Sequence, residues 1–77
     1  MILDLVVKSS DDGYTAVIPS LKGIDCWAHK HDDVIAEALK MLCYYLDFED
    51  ASKIQIDLAR KEKNKTIYKL IFNKEIN

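Results

Sequence analysis

The chain begins with a run of aliphatic and β-branched positions over residues 2–7, which breaks into a cluster of turn formers: Ser9, Ser10, Asp11, Asp12 and Gly13. A second β-rich run covers residues 14–18. Two such runs joined by five turn-forming residues predict a hairpin. Pro19 ends the second run because proline cannot donate to a sheet ladder, and residues 19–23 form a turn with Leu21 tucked inward. Residues 24–29 read as a third strand, with Ile24, Cys26 and Ala28 on one face and Asp25, Trp27 and His29 on the other. From His31 to Phe48 the period becomes helical, and Ile35, Ala38, Leu39, Leu42 and Leu46 fall on one stripe. Asp32 and Asp33 stand in the first turn, where carboxylates complement the helix dipole. Asp47, Phe48, Glu49 and Asp50 mark the end of that helix.

Beyond the helix, Ile54, Ile56 and Leu58 alternate with polar residues as a half-buried strand would. Residues 61–64 are turn-like, and Thr66, Tyr68, Leu70 and Phe72 share a face of a further strand. A second hairpin is the favoured reading. A short helix over residues 51–63 is the alternative, since residues 58–63 are good helix formers. The pattern as a whole predicts an α+β fold. It consists of a small antiparallel sheet (three strands, a helix, then one or two further strands over residues 53–73) with one helix packed on it. Residues 1–77 form a single domain.

The helix carries a second apolar stripe. Val34, Met41, Tyr45 and Phe48 lie about 100° from the centre of the first, at 3.6 residues per turn. Either the C-terminal segment packs over this stripe, or it is shared with a second subunit in a homo-oligomer, a dimer or larger.

Composition narrows the class. Seventy-seven residues with 49% apolar content make one folded domain with a thin stability margin. No apolar run approaches the ~18 residues of a membrane span. The first residues carry no basic, apolar leader, and two cysteines without one fit reduced thiols, so the expected compartment is the cytoplasm. The net charge of −2 conceals an asymmetry. Residues 1–50 carry ten Asp/Glu against four Lys, and residues 51–77 carry seven Lys/Arg against three Asp/Glu. An acidic front and a basic tail suggest two different contact surfaces, although solvated surface is the simpler account.

Candidate chemistry is sparse. Cys26, His29 and His31 have a C-x2-H-x-H spacing, but a structural zinc site needs four ligands and Cys43 would have to cross from the helix. On the strand reading, Cys26 and His29 point to opposite faces. A Cys–His nucleophile needs a lowered thiol pKa and a third orienting group, which nothing here supplies. Asp4, Asp11, Asp12 and Asp25 form a candidate cation cluster for phosphodiester cleavage, but two of them sit in a turn where aspartate serves the backbone. Arg60, Lys61, Lys63 and Lys65 could touch phosphates and Tyr68 could stack on a base, yet the overall charge is lower than nucleic-acid binders usually carry. These patterns predict a binding protein with no catalytic residue, cofactor or metal.

The stretch from Gly13 to Gly23 reads G-Y-x-A-x-x-P-x-L-x-G, followed by a short strand and a helix containing Asp32, Asp33, Glu37 and Ala38. Over residues 2–48 it resembles the HicB antitoxin family. The resemblance implies a partial ribonuclease-H-like domain without catalytic carboxylates, which oligomerises and neutralises a small RNA-cleaving HicA toxin by direct contact. Charge complementarity to such a basic toxin places the expected contact surface at the turn of Asp11 and Asp12 with the helix start at Asp32, Asp33 and Glu37. Trp27 is either an aromatic anchor there or a core residue. An orphan, self-associating scaffold that binds another protein or a small ligand is the alternative.

The chain departs from the family pattern in three ways. Ala28, His29 and Lys30 replace the usual capping segment, so Asp32 is the expected cap, with a later start to the helix. Met41, Tyr44 and Tyr45 make the helix bulkier. β-like segments stand where many members place a DNA-binding domain, so DNA binding is not carried over.

Overall fold

The computed structural model describes residues 1–49 and 51–73. Asp50, part of the expected helix end, lies outside them. Five strands form one antiparallel sheet: Ile2–Ser10 (β1), Gly13–Val17 (β2), Asp25–Ala28 (β3), Gln55–Lys61 (β4) and Lys65–Ile71 (β5). Their spatial order is β3-β2-β1-β5-β4. One helix, His31–Leu46 (α1), and a 3-10 turn, Ala51–Lys53, complete the elements among the described residues. The α+β expectation is met.

The most aliphatic strand takes the centre. β1 pairs with β2 on one side and β5 on the other, directing Leu3, Leu5 and Val7 at the helix. Its start is clamped to the end of β5: the Met1 amino group donates to the Phe72 carbonyl (2.7 Å), and the Phe72 amide donates back to the Met1 carbonyl (3.1 Å). The helix lies over β3, β2 and β1 and buries Val34, Ala38, Leu39, Leu42, Cys43 and Leu46. Leu5, Ile18, Leu42 and Leu70 are among the fully buried side chains. Full burial of such a side chain contributes roughly 1.5–3 kcal/mol. No described element covers the other face of the sheet, where Val17, Val6 and Ile67 form a cross-strand row beside Ile2 and Ile71.

Several sequence expectations are corrected. The first hairpin has a two-residue connection, Asp11 and Asp12, because Ser9 pairs with Tyr14 and Ser10 with Gly13. Gly13 is required there: a Cβ would lie 2.6 Å from the Ala28 carbonyl and 2.7 Å from the Trp27 ring, which rests on the bare backbone. The third strand is shorter than expected, but its faces are as read, with Ile24 buried and Cys26 and Ala28 half-buried against the core.

The helix starts at His31 with Lys30 as N-cap and no side-chain cap, so Asp32 does not cap it. It ends two residues early, where Asp47 adopts a left-handed conformation (φ 61°) and sends its N–H to the carbonyls of Cys43 and Tyr44. A residue in that conformation closes the last turn and satisfies carbonyls that would otherwise be orphaned. The alternative short helix over residues 51–63 shrinks to the 3-10 turn. Residues 55–61 instead pair with β5, a tertiary contact that outweighs local helix propensity.

A bulge between Leu58 and Arg60 breaks the alternation of β4. Leu58 stands opposite Tyr68 and Lys61 opposite Thr66, both pairs on the helix side, while Arg60 turns to the open face opposite Ile67. One extra residue in a strand re-aims all those beyond it.

Candidate partner-binding site

The β1–β2 turn presents Asp11 and Asp12 to solvent. Ser10 Oγ lies 3.2 Å from Asp12 Oδ1 and 3.1 Å from the Gly13 carbonyl, which pins the turn from within. The Asp12 carbonyl lies 3.2 Å from Nδ1 of His29, tying the turn to the end of β3. His29 meets Trp27 edge-on, with ring centroids 4.5 Å apart. The backbone then enters α1, whose first turn exposes Asp32 and Asp33. Asp11, Asp12, Trp27, Asp32 and Asp33 therefore share one end of the molecule. Glu37 stands one turn further along the helix, 4.0 Å from Lys40.

Trp27 is not a core residue. It is 45% exposed, on the uncovered face of the sheet, with its ring supported by Gly13 and His29. An indole held on two sides and open on the third is pre-positioned for contact at low entropic cost. Sequence reasoning missed His29 as the link between turn and tryptophan. The glycine of the motif was the available signal, because a β-strand glycine often marks a close approach.

The second helical stripe does not survive as a surface. Val34 is fully buried in the protomer's own core and cannot form an oligomer interface. Phe48 is half-buried and meets Phe72 edge-on (5.8 Å, 87°), so the C-terminal segment covers that part. Only Met41 and Tyr45 of the predicted set still line a surface feature. With Tyr44, Lys40 and residues 22–24 they edge an open groove of about 520 Å³.

The C-x2-H-x-H residues diverge. Cys26 faces the helix, with Sγ 3.7 Å from the Ala16 carbonyl and 3.6 Å from the Val34 carbonyl. Burial pushes its thiol pKa up, and the charges of Glu37 and Asp25 push it further. A thiol held protonated is a weak nucleophile. His29 turns to Asp12. His31 is half-buried, with Nε2 3.1 Å from the Tyr68 hydroxyl and its ring edge-on to Tyr14. Asp4 pairs with Lys69 across β1 and β5, two strands from Asp25. Among the described residues, no group of three or more His, Cys, Asp or Glu is arranged to hold a metal ion.

No protein-family model, curated protein or solved structure matches the chain. Any functional reading therefore rests on its own geometry. Among the described residues, no helix is long and apolar enough to cross a membrane.

Proposed function

We propose that this chain is an antitoxin-type binding protein of the HicB kind. It neutralises a small, basic, RNA-cleaving protein by direct contact and carries out no chemistry itself. The observation that carries this reading is the convergence of Asp11, Asp12, Asp32 and Asp33 at one end, beside the half-exposed indole of Trp27. Clustered carboxylates accelerate encounter with a basic protein and exclude acidic ones, while a supported aromatic supplies the desolvated contact that slows dissociation. Cys26 is a free thiol, which suits action in the cytoplasm.

The test is affinity capture from the source cell, followed by an RNA-cleavage assay on the bound fraction. The reading requires a small basic protein that is silent in the complex and cleaves RNA once released. Recovery of the chain alone, with no latent nuclease, would remove it.

A second reading, a self-associating scaffold without a toxin, is favoured by the uncovered sheet face. Apolar Val6, Val17, Ile67 and Ile71 there flank the Asp4–Lys69 pair. Sedimentation across a concentration series separates the two. An assembled species without any captured partner supports the scaffold.

A further inference from the structure

A second site lies at the basic hairpin. Between the start of α1 and the loop joining β4 to β5 is a pocket of about 390 Å³. This volume falls in the ~300–1,000 Å³ range of small-molecule sites. Its floor is aromatic and hydrogen-bonded: Tyr68 and His31 join through their 3.1 Å contact, and Tyr14 meets His31 edge-on at 5.5 Å. Burial, with the charge of Asp32, raises the Tyr68 pKa. Leu58 forms a wall and is 60% exposed.

The rim is cationic. Lys61, Lys63 and Lys65 all line the pocket, and the bulge in β4 is what turns Lys61 to this side. Two carboxylates oppose them. Glu62 is engaged by Arg60 (3.0 Å) and Lys65 (3.7 Å), and Asp32 projects fully into solvent. Lys61 and Lys63 pair with no carboxylate among the described residues. The loop itself is held in place: the Ser9 amide donates to the Asn64 carbonyl (2.9 Å), and the Glu62 amide donates to the Lys65 carbonyl (2.7 Å).

We infer that this pocket binds one nucleotide unit, with its base against Tyr14, Tyr68 and Leu58 and its phosphate at Lys61 and Lys63. Aromatic side chains accept any base by stacking, and lysines beside them take the phosphate, the combination that single-strand binders use. The pocket has room for one nucleotide but not for a folded partner. The unit can be a free mononucleotide or one residue of an unpaired RNA strand. The inference does not depend on the acidic end or on a toxin.

The test is an amide chemical-shift titration of the whole chain with adenosine 5′-monophosphate, adenosine, inorganic phosphate and a short single-stranded RNA. The inference requires saturable shifts centred on Tyr14, His31, Leu58 and Tyr68 with the mononucleotide or with the RNA. Response to the mononucleotide identifies the free form, and response to RNA alone identifies the strand. Adenosine and phosphate separately should bind at least roughly tenfold more weakly, because each makes only one of the two contacts. A K61E/K63E variant, altered only at exposed side chains, should lose affinity by roughly tenfold or more, while K22E/K40E, with the same charge change elsewhere, should not. Three results would each overturn the inference: shifts absent or spread elsewhere, phosphate alone binding as well as the nucleotide, or equal loss in both double variants.

Discussion

The two edges of the sheet differ in charge and in support. Around the β3 edge stand Asp25, Asp32, Asp33 and Glu37, with Asp11 and Asp12 at the adjoining turn. At the β4 edge, residues 60–65 bring four cations against one carboxylate. The acidic edge is buttressed, because α1 packs directly on β3 and β2 and seats Val34 in the core. The basic edge is a ribbon: β4 pairs with β5, and Leu58 is exposed where the helix does not reach. One asymmetry along the sequence, acidic front and basic tail, thus becomes two neighbouring surfaces, which meet where the Ser9 amide donates to the Asn64 carbonyl and differ in how the core supports them. The buttressed one suits a protein partner that needs a fixed shape. The ribbon, edged by its aromatic and lysine-lined pocket, suits a small ligand.

The strongest way to break this comparison is in the core. Leu42→Ala, beneath the acidic edge, should cost about 2–5 kcal/mol, whereas Leu58→Ala at the basic edge should cost under roughly 0.5 kcal/mol. Urea unfolding of both variants checks this. Similar losses in the two would mean that the edges are equally supported.

Gly13→Ala comes next. A methyl 2.6 Å from the Ala28 carbonyl must displace either that strand or the Trp27 ring, so a loss on the order of 1–3 kcal/mol is expected. The emission of Trp27, the only tryptophan, should shift along with it.

The smallest effect is on alkaline stability. The pKa values of Cys26 and Tyr68 are both raised in the folded chain, so the native state holds its protons more tightly than the unfolded one. Their contribution is complete below the unfolded values, about 8.5 for Cys and 10 for Tyr, and is lost as pH rises through the folded ones. Thermal melts should therefore fall from above about pH 8.5, and less steeply in Cys26→Ala and Tyr68→Phe. An unchanged slope in both variants would show that neither thiol nor phenol is responsible.

Much of this was legible beforehand, for reasons that particular residues make plain. The helix was legible because Ala38, Leu42 and Leu46 repeat at its period, and the strand faces because Cys26 and Trp27 alternate. Composition locates the turn at Asp11 and Asp12 but overstates its length. Ser9 and Ser10 are turn formers by composition, yet here they pair with β2, with the Ser9 amide held by the Asn64 carbonyl and Gly13 seated against Trp27. Helical angle places Val34 on the second stripe, covered or shared, because angle alone ignores how β3 and β2 pack against α1. The aromatic floor at His31 was invisible, because Tyr14, His31 and Tyr68 meet only once β5 inserts beside β1. A bulge has no composition signal in residues 58–60, so the turning of Lys61 toward the pocket could not be read either.

The central claim is that the acidic edge is the face presented to a basic protein. The direct measurement is association kinetics with the captured partner for the wild type, for D11K/D12K/D32K/D33K, and for K61E/K63E, each over a salt series. The account predicts that the acidic-edge variant loses at least ~10-fold in association rate and most of its salt dependence, while the basic-edge variant associates as fast as the wild type or faster. Equal rates for the wild type and the acidic-edge variant, or a loss confined to K61E/K63E, would contradict it.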